Sequence, residues 1–325
     1  MDEKRPYNFK QILFVFIKLA IVAGAFYFIY NKLVNNDKLD LQVLIQTVKY
    51  YDLLSIENIL LLLLFSIGNW FFEILKWKTL VSFIKKISFS EAFQQSLGAH
   101  TASLFTPNKI GEFGAKAIYF AKQFRKRILL LTFLGNLVQL LITLVFGLIG
   151  LVFFIKFYSL EIPFEKVYKP IIGLLLIIGL FYFRNRENRF TIKGFSFKKM
   201  GDFIRSIPTH KRVEVIAYSV IRYLIFSHQF YFLAVLFQLP ITYTEAMTGI
   251  SCMYLISSAI PMLFFLDVVV KGSVAVWIFG FIGIDEILIL SIITISWIFN
   301  FVLPNFIGSY FILNFEAYKQ TNLET

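Results

Sequence analysis

The chain has 325 residues, of which 58% are hydrophobic and 16% charged, and a formal charge of +12. A soluble domain carries roughly 25% charged residues, so this sequence lacks the polar surface to dissolve itself. Its Lys and Arg sit in short clusters between apolar runs, as in loops facing anionic lipid, which argues against nucleic acid as their partner.

A helix needs about 20 apolar residues to cross the hydrocarbon core. Gln11 to Tyr30 is the first such run, and no small-residue cleavage site follows it, so it reads as a span and not a signal peptide. Ile56 to Leu75, Ile128 to Ile155, Val213 to Leu236 and Ile287 to Leu313 also qualify. Pro170 to Phe183 is shorter, but its apolar stretch begins near Tyr168 and is flanked by Lys169 and Arg184. Two further stretches, Ser90 to Ala121 and Glu245 to Gly280, are interrupted by Pro107 and Pro261 with charge close by. Each half has about 16 residues, marginal for a crossing, so each stretch reads as a helical hairpin that leaves on the side it entered.

The expected fold is therefore an all-α polytopic membrane protein, with six transmembrane helices and two proline-broken, re-entrant hairpins in one membrane domain, 1–325. The positive-inside rule orients it. Lys4, Arg5 and Lys10, then Lys76, Lys78, Lys85 and Lys86, then Lys122, Arg125, Lys126 and Arg127 all fall on one face. The basic loop 184–212, with nine Lys or Arg against Glu187 and Asp202, joins them. Both termini are then cytoplasmic, and the Asp285–Glu286 turn is external. The expected location is a bacterial inner (plasma) membrane. Cys252 lies inside an apolar run, so one chain can form neither a disulfide nor a thiolate metal site.

The residues before each hairpin repeat. Ile87-Ser88-Phe89-Ser90-Glu91-Ala92 matches Ile241-Thr242-Tyr243-Thr244-Glu245-Ala246, and Pro107 falls opposite Pro261 at the same offset. With one added residue Glu112 aligns with Asp267 and Lys116 with Lys271. One hairpin opens to the cytoplasm and the other outward, so the units 56–155 and 213–313 would be inverted repeats, a design recurrent in transporters.

The breaks carry the candidate chemistry. Thr106-Pro107 suits a helix start, with threonine as cap and proline at a position whose donor is orphaned anyway. The positive end of the following helix, with Lys109, would suit an anion such as a lipid phosphate. Gly111 and Gly114 would allow another backbone close. Glu112 and Lys116 are four apart and can pair along one face, either merely neutralising each other or serving a substrate. Asp267 and Lys271 lie in a strongly apolar segment, where charges usually face a cavity or each other. Arg222, inside the fifth span, could pair with a repeat carboxylate or a lipid phosphate, and Glu73 could pair with Lys76 at the interface. The candidate headgroup path is thus Thr106, Pro107, Lys109, Glu112, Lys116, Arg222, Asp267 and Lys271. His100, His210 and His228 have no metal-ligand spacing, and neither P-loop nor GxSxG motif occurs, so no cofactor, metal or catalytic constellation is expected.

The segment GAHTASLFTPNKIGEFGAKAIYFAK, residues 98–122, resembles the first signature of the lysylphosphatidylglycerol synthase membrane-region family, also called flippase-like domain proteins. The second hairpin resembles that family's later proline-centred motif, but PMLFFLDVVVKG replaces its usual glycines with bulky apolar residues. The resemblance spans nearly the whole chain. It implies movement of polar or charged lipids between leaflets, with an anionic phospholipid or lipid-linked glycan as partner, and a chain without a soluble transferase domain is expected. The function expected is a flippase-like transporter of a polar or anionic lipid. A membrane-embedded transferase or accessory subunit of lipid or cell-envelope synthesis is the chief rival, and a scaffold without substrate is the third reading.

Overall fold

The computed structural model describes residues 41–104, 106, 110–158, 191–192, 195–260 and 267–315, with Ala23 and Tyr27 in helical conformation. Apart from Ala23 and Tyr27, two expected spans, Gln11 to Tyr30 and Pro170 to Phe183, fall outside these residues, as do both prolines of the hairpin breaks.

The described regular structure is helical apart from a two-residue antiparallel ladder, Thr191–Ile192 with Phe195–Ser196. In order come α1 (Leu41–Tyr50), α2 (Ile56–Val81), α3 (Phe89–Ala102), α4 (Ile110–Ile118) and α5 (Lys122–Phe157). Then follow α6 (Phe197–Ser206), α7 (Thr209–Leu236), α8 (Tyr243–Ala259), α9 (Asp267–Phe281) and α10 (Glu286–Trp297). A π-helical turn, Ile298–Val302, joins α10 to α11 (Leu303–Leu313). Four helical stretches are long and apolar enough to cross a membrane: α2, α5, α7 and the continuous Glu286–Leu313.

These spans are built inside out. On α2 the exposed side chains Ile56, Leu60, Leu64, Ile67 and Phe71 recur every three or four residues and form one apolar stripe. Ser66, Asn69, Glu73 and Lys76 follow the same spacing on the opposite, inward face. A polar face turned inward fits a lipid solvent, which cannot satisfy polar groups.

Both stretches expected to be interrupted are two helices each, α3 with α4 and α8 with α9. Their entries are the same device. Ser88 accepts from the Glu91 amide at 3.1 Å while its own amide donates to the Glu91 carboxylate at 2.7 Å. Thr242 and Glu245 repeat the arrangement at 3.3 and 2.8 Å. Each is a capping box that satisfies two orphaned helix donors. In each pair the two helices also pack on each other.

Helices of residues 56–155 pack on helices of residues 213–313. α2 lies on α7, with Phe65 on Phe232, Asn69 on Arg222, Phe72 on Tyr218 and Thr79 on Glu214. As one number rises the other falls, so the two helices run antiparallel. α11 packs on α3, and α5 packs on α8. A Cβ at Gly308 would collide with the Leu97 carbonyl and the Thr101 hydroxyl, and one at Gly150 would lie 2.6 Å from the Ser251 Cβ. Glycine at these crossings lets helices approach closely, the packing that substitutes for hydrophobic drive in a bilayer.

Candidate functional site

A cavity of about 590 Å³ is walled by α2, α3, α4, α5, α7, α8, α9, α10 and the π-turn region. Its charged lining residues are Glu73, Glu112, Arg222, Asp267 and Lys271, and Trp70, Phe226, Tyr254 and Trp297 supply aromatic surface.

The break between α3 and α4 is held by Thr106. Its hydroxyl donates to the Ser103 carbonyl at 2.7 Å and accepts from the Gly111 amide at 2.8 Å, so it ends one helix and caps the next. A Cβ at Gly111 would lie 2.9 Å from the Thr106 side chain, so glycine is needed there; Gly114 has open space instead. One turn into α4, Lys116 reaches Glu112 at 2.7 Å, and its ammonium stands 4.3 Å from the centre of the Trp77 ring. That face attracts a cation through the ring quadrupole. Trp77 is fixed in turn by its indole N–H on Gln95 at 2.9 Å.

Arg222 is anchored from α7. Its Nε donates to the Asn69 carbonyl at 3.2 Å and to the Asn69 side-chain oxygen at 3.1 Å. Its Nη1 pairs with Glu73 and donates to Gln139 at 3.2 Å. Glu73 also pairs with Lys76 at 2.7 Å. Arg222 thus binds a carboxylate of α2, not Glu112 or Asp267, and the Glu73–Lys76 pair is buried, with Lys76 2% exposed.

The π-turn completes the wall. An i→i+5 turn breaks the usual ladder, and Pro304, just beyond, lacks an amide to continue it. The carbonyls of Phe299 and Asn300 accept from Ser66 at 2.6 Å and from the Trp70 indole at 3.3 Å. The Asn300 amide donates to Gln229 at 2.6 Å, and its oxygen accepts from Asn69 at 3.2 Å. The π-turn region is thereby tied to both α2 and α7.

On the opposite wall Lys271 reaches Asp267 at 2.7 Å, with its ammonium 5.7 Å from the Tyr254 ring centre. Of the residues expected at the site, Glu112, Arg222, Asp267 and Lys271 line one cavity. Lys116 stands behind the wall and Thr106 builds the break. Pro107 and Lys109 lie outside the described residues. The reading of single residues missed Asn69, Gln139 and Asn300; polar residues spaced along one face of otherwise apolar spans were the available signal. Among the described residues no group of His, Cys, Asp and Glu is placed to hold a metal.

Residues 15–308 match the family described as the lysylphosphatidylglycerol synthase TM region. The chain belongs to this family. Membership ties it to lipid synthesis or transport at a membrane, consistent with four helices long and apolar enough to cross one. No curated protein matches the chain.

Proposed function

We propose that this member of the family is a lipid translocase of the flippase type. Two inverted units, 56–155 and 213–313, would enclose a path along which a polar headgroup passes between leaflets while its acyl chains stay in lipid. The observation that carries the reading is the cavity itself: charged side chains from both broken hairpins converge on space large enough for a headgroup, inside helices whose outer faces are apolar. A scaffold would pack that space with side chains. The antiparallel α2–α7 pair, the paired capping boxes and the paired acid-xxx-Lys ion pairs support the inverted repeat. A membrane-embedded role in lipid synthesis is the second reading, favoured by the synthase in the family's description.

Reconstituted vesicles carrying headgroup-labelled lipids test the proposal. Asp267→Asn should slow lipid movement while the protein stays folded and inserted. A buried ion pair often exchanges for packed hydrophobes at little cost. Asp267→Leu combined with Lys271→Met should therefore fold yet fail to move lipid; full movement in that variant removes both residues from the path. The six-span, two-hairpin topology is tested separately by cysteine labelling. From outside the cell, Asp285→Cys should react and Lys198→Cys should not, and reaction of both from one side ends the inversion argument.

A further inference from the structure

The helices that follow the two breaks are held in different ways. On α9 the buried side chains include Val274, Ala275, Ile278 and Phe279, and Phe279 stacks on Phe230 of α7 with ring centres 5.4 Å apart. On α4 the buried side chains are Glu112, Lys116 and Ala117, so the apolar one among them is an alanine. The outer face of α4 is loose: Ile110 is 61% exposed, and Gly114 has open space where a side chain would stand. Burial of apolar area is what resists local opening, and little of it secures α4.

What draws α4 inward is Lys116. Its ammonium stands over the Trp77 ring of α2, a surface that attracts a cation most strongly where water is excluded. Trp77 is fixed in turn by its indole N–H on Gln95 of α3. Three features let that contact be undone without breaking the helix. Lys116 keeps its carboxylate when it leaves, because Glu112 belongs to the same helix and the 2.7 Å pair travels with it. Glu112 already lines the cavity, so the lysine one turn along on the same face needs only a rotation of α4 to join it. The Thr106 hydroxyl bonds to the Ser103 carbonyl on one side of the break and the Gly111 amide on the other, which gives α4 a pivot at its start. The second hairpin shows the released arrangement: Lys271 keeps Asp267 but lines the cavity, 5.7 Å from the Tyr254 ring.

We propose that α4 is a gate at the cavity, latched by Lys116 on Trp77, with Gln95 as the residue that positions the latch. While the gate is latched, Lys271 is the lysine in the cavity wall among the described residues. On release α4 turns about its start, Lys116 leaves the ring with Glu112 still paired to it, and both hairpins present an acid and a lysine to the cavity. The proposal rests on the translocation reading only for what the gate admits, a lipid headgroup; the latch stands without it.

Amide hydrogen exchange of the full chain in lipid nanodiscs, read by mass spectrometry, tests the latch. Residues 110–118 should exchange together, and faster than α3 and α5, on which they pack. Trp77→Leu, which keeps an apolar side chain without an aromatic face, should speed exchange of α4 by about tenfold, the scale of a cation contact with a ring away from water. α9 should keep its rate in that variant. Trp77→Phe, a ring with weaker pull on a cation, should fall between the two. Protection of α4 equal to that of α3 and α5 in the unmodified chain overturns the proposal, and this comparison needs no variant to fold. An unchanged rate in Trp77→Leu overturns it as well, as does a rise shared equally by α4 and α9, the mark of general loosening. Release of α4 in Trp77→Leu, with no lipid movement by the unmodified chain in vesicles, removes the translocation reading and keeps the gate. Lipid movement by a chain whose α4 ignores both Trp77 substitutions does the reverse.

Discussion

The two hairpins carry the same motif in different surroundings. In the first, the side chains of Glu112 and Lys116 are 10% and 3% exposed and the ammonium is covered by Trp77. In the second, the side chains of Asp267 and Lys271 are 24% and 33% exposed, and the covering ring, Tyr254, stands farther off. An acid and a lysine one helical turn apart form the same 2.7 Å pair in both. The difference lies in what surrounds the lysine of each pair: Lys116 is sealed behind the cavity wall, whereas Lys271 lines the cavity. Both acids border the cavity, but in the first pair the lysine is held away from it under Trp77 of α2, whereas both members of the second pair border open space.

The sharpest way to break this contrast is to remove one partner from each pair. Taking one charge from a buried pair costs about 3–5 kcal/mol, whereas partly solvated pairs are worth about 1 kcal/mol or less. Glu112→Ala should therefore lower the unfolding temperature in detergent severely, and Asp267→Ala only slightly. Equal losses would mean that the two pairs are equally sealed. The glycine crossings give the next largest effect. Overpacking costs about 1–3 kcal/mol. Gly308→Ala should lie at the upper end, because its new Cβ meets the Leu97 backbone. Gly150→Ala should cost less, since its nearest obstacle is the Ser251 side chain. A reversed order would show that α5 and α8 are the more rigid pair.

The capping boxes offer the smallest effect and a test of likeness instead of difference. Loss of a helix cap costs about 1 kcal/mol. Ser88→Ala and Thr242→Ala should lower stability by the same amount within error in thermal denaturation. A clear inequality would separate two entries that look alike.

What could be read in the sequence follows from how local each interaction is. The matching hexapeptides before the hairpins were visible because a capping box is completed within four residues, and the structure forms both. The Glu112–Lys116 and Asp267–Lys271 pairs were visible for the same reason. Arg222 stood out as a charge in a span, but its partner did not, because Glu73 lies 149 residues away and has a competing lysine one turn along. Asn69, Gln139 and Asn300 read as ordinary polar residues until the crossing of α2 and α7 brings them together. The π-turn left only Pro304 as a trace, and a proline alone does not distinguish a kink from a helix start.

That turn fixes the phase of everything after it. A π-turn holds one residue more than the α-helical path it replaces, so Ile298–Val302 amounts to a one-residue insertion absorbed without a break in the rod. Successive residues of an α-helix are rotated by about 100°. Had the span continued as plain α-helix, Gly308 would point away from Leu97 and Thr101, and a bulkier side chain would arrive at the crossing in its place. The same extra residue turns the Phe299 and Asn300 carbonyls outward to Ser66 and Trp70. One inserted amino acid thus couples the lining of the cavity to the fit of a helix crossing two turns farther along, so neither can be re-timed without the other.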